Sequence, residues 1–195
     1  MDQRSAQIDG GMSSCTFRAG DGWHTFAEDQ LALLDHLGVK GCHLIGSCIG
    51  PSFQLLLMRE APGRFASAVL MQPIGLGRHS TEPGASWEGL NHQASGHWFG
   101  DWAARMVGEG RAGEAELRAL YDAMFASERG FVFSISSEEL RGIQAPLLVL
   151  MGRDMYHPSC ISREVASTAP RAELIEEWRD VGPTQLAAAA QKIEE

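Results

Sequence analysis

Apolar positions along the chain recur with two periods. Leu31, Leu33, Leu34 and Leu37 lie at helical spacing, and Gly38 follows as a C-terminal stop. Ahead of them, Thr25-Phe-Ala-Glu28 has the form of a capping box, with hydroxyl and carboxylate both satisfying free backbone N–H groups. Short apolar runs then alternate with such helices. Residues 42–45 are predicted as a strand that enters Gly46-Ser47-Cys48-Ile49-Gly50. Pro51 suits the first turn of a helix, where its missing N–H costs nothing, and that helix runs through Phe53, Leu56 and Leu57 to end before Pro62. Residues 66–71 read as a second strand. Residues 147–151 read as a third, apolar on both faces like a strand covered by helices on both sides. A helix over about 161–166, a strand near 173–176 and a last helix opened by Pro183, with Leu186 and Ile193, complete the series. Alternating strand and helix predict an α/β fold with a mostly parallel sheet flanked by helices.

One block departs from the alternation. Residues 77–133 carry three of the five tryptophans, Trp87, Trp98 and Trp102, and place Leu117, Leu120, Tyr121, Met124 and Phe125 on one helical face. The predicted organisation is a core of residues 1–76 and 134–195 interrupted by a helical lid of residues 77–133. The lid aromatics read either as its own small core or as the lining of a substrate pocket.

At 195 residues the chain suffices for one core and is short for two independent domains. Its net charge is −9, and the 16 Lys and Arg never cluster. Both facts speak against a nucleic-acid partner and against an anionic membrane surface. No apolar run approaches the roughly 20 residues of a membrane helix. The polar, mixed-charge start does not read as a secretory signal. Cys15, Cys42, Cys48 and Cys160 stand far apart without a C-x-x-C, which suits reduced thiols in a cytoplasmic protein. His92 and His97 lack a third ligand at a credible spacing, so neither a metal site nor a cofactor is expected.

The candidate chemistry lies at Gly46-x-Cys48-x-Gly50, between a strand and a helix. A nucleophile on so sharp a turn needs neighbours without side chains, because the two backbones approach closely. A helix N-terminus also favours an anion, and a thiolate is the nucleophilic form of cysteine. The Ile49 N–H points toward the developing oxyanion. Ser47 as nucleophile would need glycines at 45 and 49, where isoleucines stand. The structural alternative for Cys48 is a small buried thiol.

From Leu31 to Gly75 the sequence resembles the nucleophile-elbow region of the α/β-hydrolase superfamily. Its cysteine elbow is similar to those of dienelactone hydrolases, polyhydroxyalkanoate synthases and a group of unassigned bacterial α/β-hydrolases. Ala145-Pro-Leu-Leu-Val-Leu-Met-Gly-Arg-Asp154 resembles the superfamily's strand seven and acid-bearing loop. The resemblance implies Asp154 as the acid and a small acyl-type substrate: an ester, thioester or lactone.

Two departures qualify that implication. The superfamily's base is a histidine after strand eight, where this chain has Trp178-Arg-Asp-Val-Gly-Pro183 and no residue able to act as base. His157, three residues after Asp154, reads either as a substitute base or as a surface loop histidine. His24, His36, His43, His79, His92 and His97 are no better placed, and His43 is expected to point into packing. The second departure is at the start. Asp2-Gln-Arg4 resembles the tail of strand four, so strands one to three and their oxyanion loop are expected to be missing. That leaves residues 42–45 as an apolar sheet edge, to be covered by residues 12–17 or by a second copy in a homodimer. Two functions stay open: a cysteine-nucleophile hydrolase with weak activity, or a hydrolase-derived binding protein.

Overall fold

The computed structural model describes residues 7–8, 11–12, 18, 20–76, 97–125, 132–154 and 156–194. An antiparallel pair, β1 (Gln7–Ile8) and β2 (Gly11–Met12), opens the chain, with Gln7 opposite Met12. Next come α1 (Trp23–His36), β3 (Cys42–Ser47), α2 (Gly50–Glu60) and β4 (Phe65–Met71). Three helices follow: α3 (His97–Gly108), α4 (Glu114–Phe125) and α5 (Ser137–Arg141). The chain ends with β5 (Leu147–Leu150), α6 (Ser159–Thr168), β6 (Ala172–Ile175) and α7 (Pro183–Glu194).

The main sheet is parallel throughout, in the order β3-β4-β5-β6. Its strands are rich in Leu, Val, Ile and Ala, and Leu70, Val149 and Leu150 are wholly buried between helix layers. Helix α2 runs through the centre of this packing, and every residue from Pro51 to Met58 is buried. A buried Leu or Phe contributes about 1.5–3 kcal/mol over the exposed state, so α2 is fixed by tertiary burial rather than by propensity. Its one amide, Gln54, is only 5% exposed. With its carboxamide turned to satisfy both partners, Gln54 Oε1 accepts from the N–H groups of Ile45 at 3.0 Å and Gly46 at 2.9 Å.

Several sequence expectations require correction. Helix α1 begins at Trp23 with Gly22 as N-cap, so Thr25 sits in the first turn, where its Oγ1 accepts from the Gly22 N–H at 3.3 Å. The start is drawn forward because Trp23 is buried and its Nε1 donates to Met124 O at 2.7 Å. His43 does not point into packing: it is exposed and pairs through Nδ1 with Ser67 Oγ at 2.7 Å. The strand alternates, with Cys42, Leu44 and Gly46 half-buried, while His43, Ile45 and Ser47 face out. In α7 the buried residue is Ala189, with Ile193 packed beside it, whereas Leu186 is 53% exposed.

Among the described residues β3 pairs only with β4, so it forms one edge of the main sheet. Met12 pairs with Gln7 rather than with β3. Residues 13–17 and Asp2-Gln-Arg4 lie outside the described residues, as do 77–96, including Trp87, and 126–131. The predicted face of α4 is buried at all five positions. It joins the main core directly: Trp23 stands 4.8 Å from Phe53 and 6.1 Å from Phe125 between ring centroids, and Phe125 stands 5.3 Å from Phe133.

Candidate active site

Strand β3 ends at Ser47, and the chain turns through Cys48 into α2. Cys48 has φ 61°, a left-handed conformation that a non-glycine residue adopts only when its surroundings impose it, at a cost of about 1–3 kcal/mol. The restraint comes from both sides. The Cys48 N–H donates to Met71 O at 3.0 Å, which ties the bend to β4, and Ile49 is already helical as the N-cap of α2. The Ile49 N–H therefore belongs to a first turn that offers it no intrahelical acceptor.

The two elbow glycines are not equivalent. A β-carbon on Gly46 would come within 3.2 Å of both Gly50 Cα and the Gln54 carboxamide. One on Gly50 would meet nothing within 4 Å among the described residues. Close approach of strand and helix thus favours glycine at 46, and Gly50 is the backbone it approaches. The thiol of Cys48 is partly buried against the main core.

Beyond β5, the loop from Met151 folds back on itself. Asp154 Oδ1 accepts from the N–H groups of Tyr156 and His157, each at 2.9 Å, and from His157 Nδ1 at 2.7 Å. These bonds, with His157 N–H to Asp154 O at 3.1 Å, close a tight turn that carries the imidazole above its own carboxylate. An ionised carboxylate only accepts, so Nδ1 must carry the proton and Nε2 of the neutral ring is left with its lone pair. Nε2 is buried and makes no hydrogen bond within normal limits. Cys48 is nonetheless close enough to act on the ring. Burial works against the imidazolium, but the Cys48 thiol and the Asp154 carboxylate outweigh it and raise the His157 pKa above its ordinary 6.5. For Asp154, burial pushes the pKa up, yet the hydrogen bonds and charge of His157 prevail and hold it below 3.8.

The structure thus brings Cys48, His157 and Asp154 together at the C-terminal ends of β3 and β5, with the Ile49 N–H beside the sulfur's own turn. Three further residues belong to this neighbourhood. Gly152 would, with a β-carbon, stand 2.4 Å from His157 O and 2.5 Å from its Cβ, so glycine alone lets the turn close. Arg179 Nη2 donates to Asp154 Oδ2 at 3.2 Å. Gln72 follows β4 with φ 50°, is 8% exposed, and donates through Nε2 to Ser47 Oγ at 3.3 Å. A glycine directly after a buried strand was a readable sign for Gly152; the roles of Arg179 and Gln72 arise from tertiary contacts that no local pattern encodes. Among the described residues no three His, Cys, Asp or Glu side chains are grouped to hold a metal ion, and no helix is long and apolar enough to cross a membrane.

No protein-family profile and no curated protein matches the chain. Solved structures do. Rv0554 from Mycobacterium tuberculosis is 21% identical, with a TM-score of 0.59 over 98% of this chain and 74% of its own. MGS-M2, an alpha/beta hydrolase enzyme from a Medee basin deep-sea metagenome library, is 17% identical, with a TM-score of 0.58 over 95% of this chain and 76% of its own. Est816, described as an N-acyl homoserine lactone degrading enzyme, is 23% identical, with a TM-score of 0.56 over 80% of this chain and 66% of its own. The chain therefore spans between 66% and 76% of the length of these proteins. By these likenesses the chain has the α/β-hydrolase fold, a parallel sheet flanked by helices.

Proposed function

We propose that this chain hydrolyses an ester-type bond, in an ester, thioester or lactone, with Cys48 as nucleophile, His157 as base and Asp154 as the acid that orients it. The observation that carries the reading is the buried Nε2 of His157, which has no other hydrogen-bond partner and lies close enough to Cys48 for the thiol to act on the ring, while Nδ1 is held by Asp154 at 2.7 Å. A nucleophile, a base within its reach and a third group orienting the base are the parts of an activated thiol. The solved structures of like fold include proteins described as hydrolases and as a lactone-degrading enzyme, which supports the choice of bond.

In the proposed cycle, the Cys48 thiol gives its proton to His157 Nε2 as the sulfur attacks the carbonyl carbon. The oxyanion is received by the Ile49 N–H. Collapse expels the alcohol or thiol, which takes the proton from Nε2. Water then opens the acyl thioester, passing one proton to His157 and from there to the sulfur. A placed base contributes about 10²–10⁴-fold, and that is the share assigned to His157. Helix α3, in the insertion between β4 and β5, is proposed to lie over the substrate as part of a lid.

The test offers short p-nitrophenyl esters and a thiol-selective alkylator to the wild type, Cys48→Ala and His157→Ala. Turnover that vanishes in Cys48→Ala and falls at least about 10²-fold in His157→Ala is the expected result. Alkylation without turnover identifies a binding protein that keeps a reactive remnant, and unchanged activity in His157→Ala removes it as the base.

A further inference from the structure

The loop after β6 reaches back to the acid of the candidate site along a continuous series of contacts. Trp178 is 8% exposed and its Nε1 donates at 2.9 Å to Met151 O, the residue at which the chain leaves β5. The Arg179 guanidinium lies 5.7 Å from the centroid of that indole, and Asp180 turns the chain through φ 60° directly after it. Arg179 Nε lies 3.4 Å from Asp180 Oδ2 while its Nη2 donates to Asp154 Oδ2 at 3.2 Å. The two oxygens of Asp154 are thereby divided: Oδ1 takes the three bonds from Tyr156 and His157, and Oδ2 takes the guanidinium. A carboxylate held on both oxygens cannot rotate about its Cβ–Cγ bond without losing a charge-assisted hydrogen bond.

We propose that Arg179 is a positioning residue for the Cys48–His157–Asp154 site: braced by Trp178, it fixes Asp154 Oδ2 and so keeps Oδ1 on His157 Nδ1. The proposal rests on the functional reading above. Stability is not its main effect. Arg179 and Asp154 are 34% and 43% exposed, and exposed ion pairs are worth about 0–1 kcal/mol, so removing the guanidinium leaves the fold in place.

The charges that bear on the His157 ring are those of Cys48 and Asp154, with Arg179 beyond the carboxylate. This gives the test a sign. If Arg179 acts by position, Arg179→Gln frees Asp154 to turn, His157 loses its partner, and its pKa falls toward 6.5. If Arg179 acts only as a nearby cation, its removal favours the imidazolium and the pKa rises. The experiment is an NMR titration of the His157 ring in the full chain, assigned with His157→Ala, for wild type, Arg179→Gln and Arg179→Lys. Expected are a fall in Arg179→Gln, a smaller one in Arg179→Lys, and an alkylation rate of Cys48 at neutral pH reduced about 10-fold or more in Arg179→Gln. A rise, or a pKa and alkylation rate equal to the wild type, overturns the proposal. Neither readout needs turnover, so an inactive wild type with the expected shift counts against hydrolysis and not against positioning.

Discussion

A β-carbon on Gly152 would stand 2.4 Å from the carbonyl oxygen of His157, closer than real β-carbons come to any backbone atom. The backbone of His157 thus lies in the space a side chain at 152 would fill, and that closeness brings a histidine three residues from Asp154 to the Cys48 turn. Gly152 is buried and its N–H donates to Ser162 Oγ at 3.2 Å, so the strand side of the contact has no room to yield. In Gly152→Ala the turn must move. Overpacking of this kind costs about 1–3 kcal/mol, which leaves a folded protein, while a displacement near 1 Å at the proposed base costs about 10²-fold in rate. Thermal melts together with kcat/KM on a p-nitrophenyl ester check both halves, and full activity in Gly152→Ala would show that the His157 turn is irrelevant to turnover.

The pH dependence follows from the two opposite shifts in the Asp154–His157 pair. His157 has its pKa raised in the folded state, so its stabilising share is complete below 6.5 and is lost as pH rises through the raised value. Asp154 has its pKa lowered, so its share is present above 3.8 and is lost as pH falls through the lowered value. The pair supports the fold most between about pH 3.8 and 6.5. The difference in Tm between wild type and Asp154→Asn is expected to be largest in that window and to shrink on the alkaline side. A difference that grows steadily toward pH 9 would contradict the raised imidazole.

The legible part of this molecule was the part written in consecutive residues. Leu147 to Leu150 announces a strand covered on both sides, and Gly46-x-Cys48-x-Gly50 after a short apolar run announces the bend, because both signals are local. Strand ends were less so: β3 runs on to Ser47, since pairing with Leu70 and Met71 holds Gly46 and Ser47, two residues that sequence alone assigns to the turn. His43 shows the limit from the other side. Its position in a strand is readable, but whether its face meets a helix depends on which layers cover β3, and here that face is open. Asp154 was legible as a candidate from its loop motif. His157 was legible as a candidate only, because its pairing with Asp154 depends on the turn that Gly152 permits and the carboxylate rotamer that Arg179 contacts.

Gln54 carries a structural prediction. It is a buried amide in a helix whose neighbours are apolar, and its retention is explained by the two strand N–H groups its oxygen accepts, from Ile45 and Gly46. Gln54→Leu keeps the volume but leaves those donors without it, at about 1–3 kcal/mol. The expected Tm loss for a chain of this size is about 2–4 °C per kcal/mol. Equal stability in Gln54→Leu would show that the carboxamide is not the acceptor these donors need.

The open edge of β3 leads to the last prediction. Among the described residues the strand is paired on one side only, and Ile45 on its outward face is 63% exposed. A parallel strand of a doubly covered sheet is apolar by necessity, so when it becomes an edge it offers unpaired N–H and C=O groups beside exposed aliphatic surface. Two copies meeting antiparallel about a two-fold axis would pair β3 with β3 and cover Ile45 from both sides. The net charge of −9 opposes that approach, so association should strengthen as salt screens it. A sizing column is expected to show a dimer at micromolar concentration in moderate salt. Ile45→Lys, which places a charge beside the edge, should shift the protein to monomer without altering Cys48 alkylation. A wild type that stays monomeric at every salt concentration would mean that the edge is covered from within its own chain.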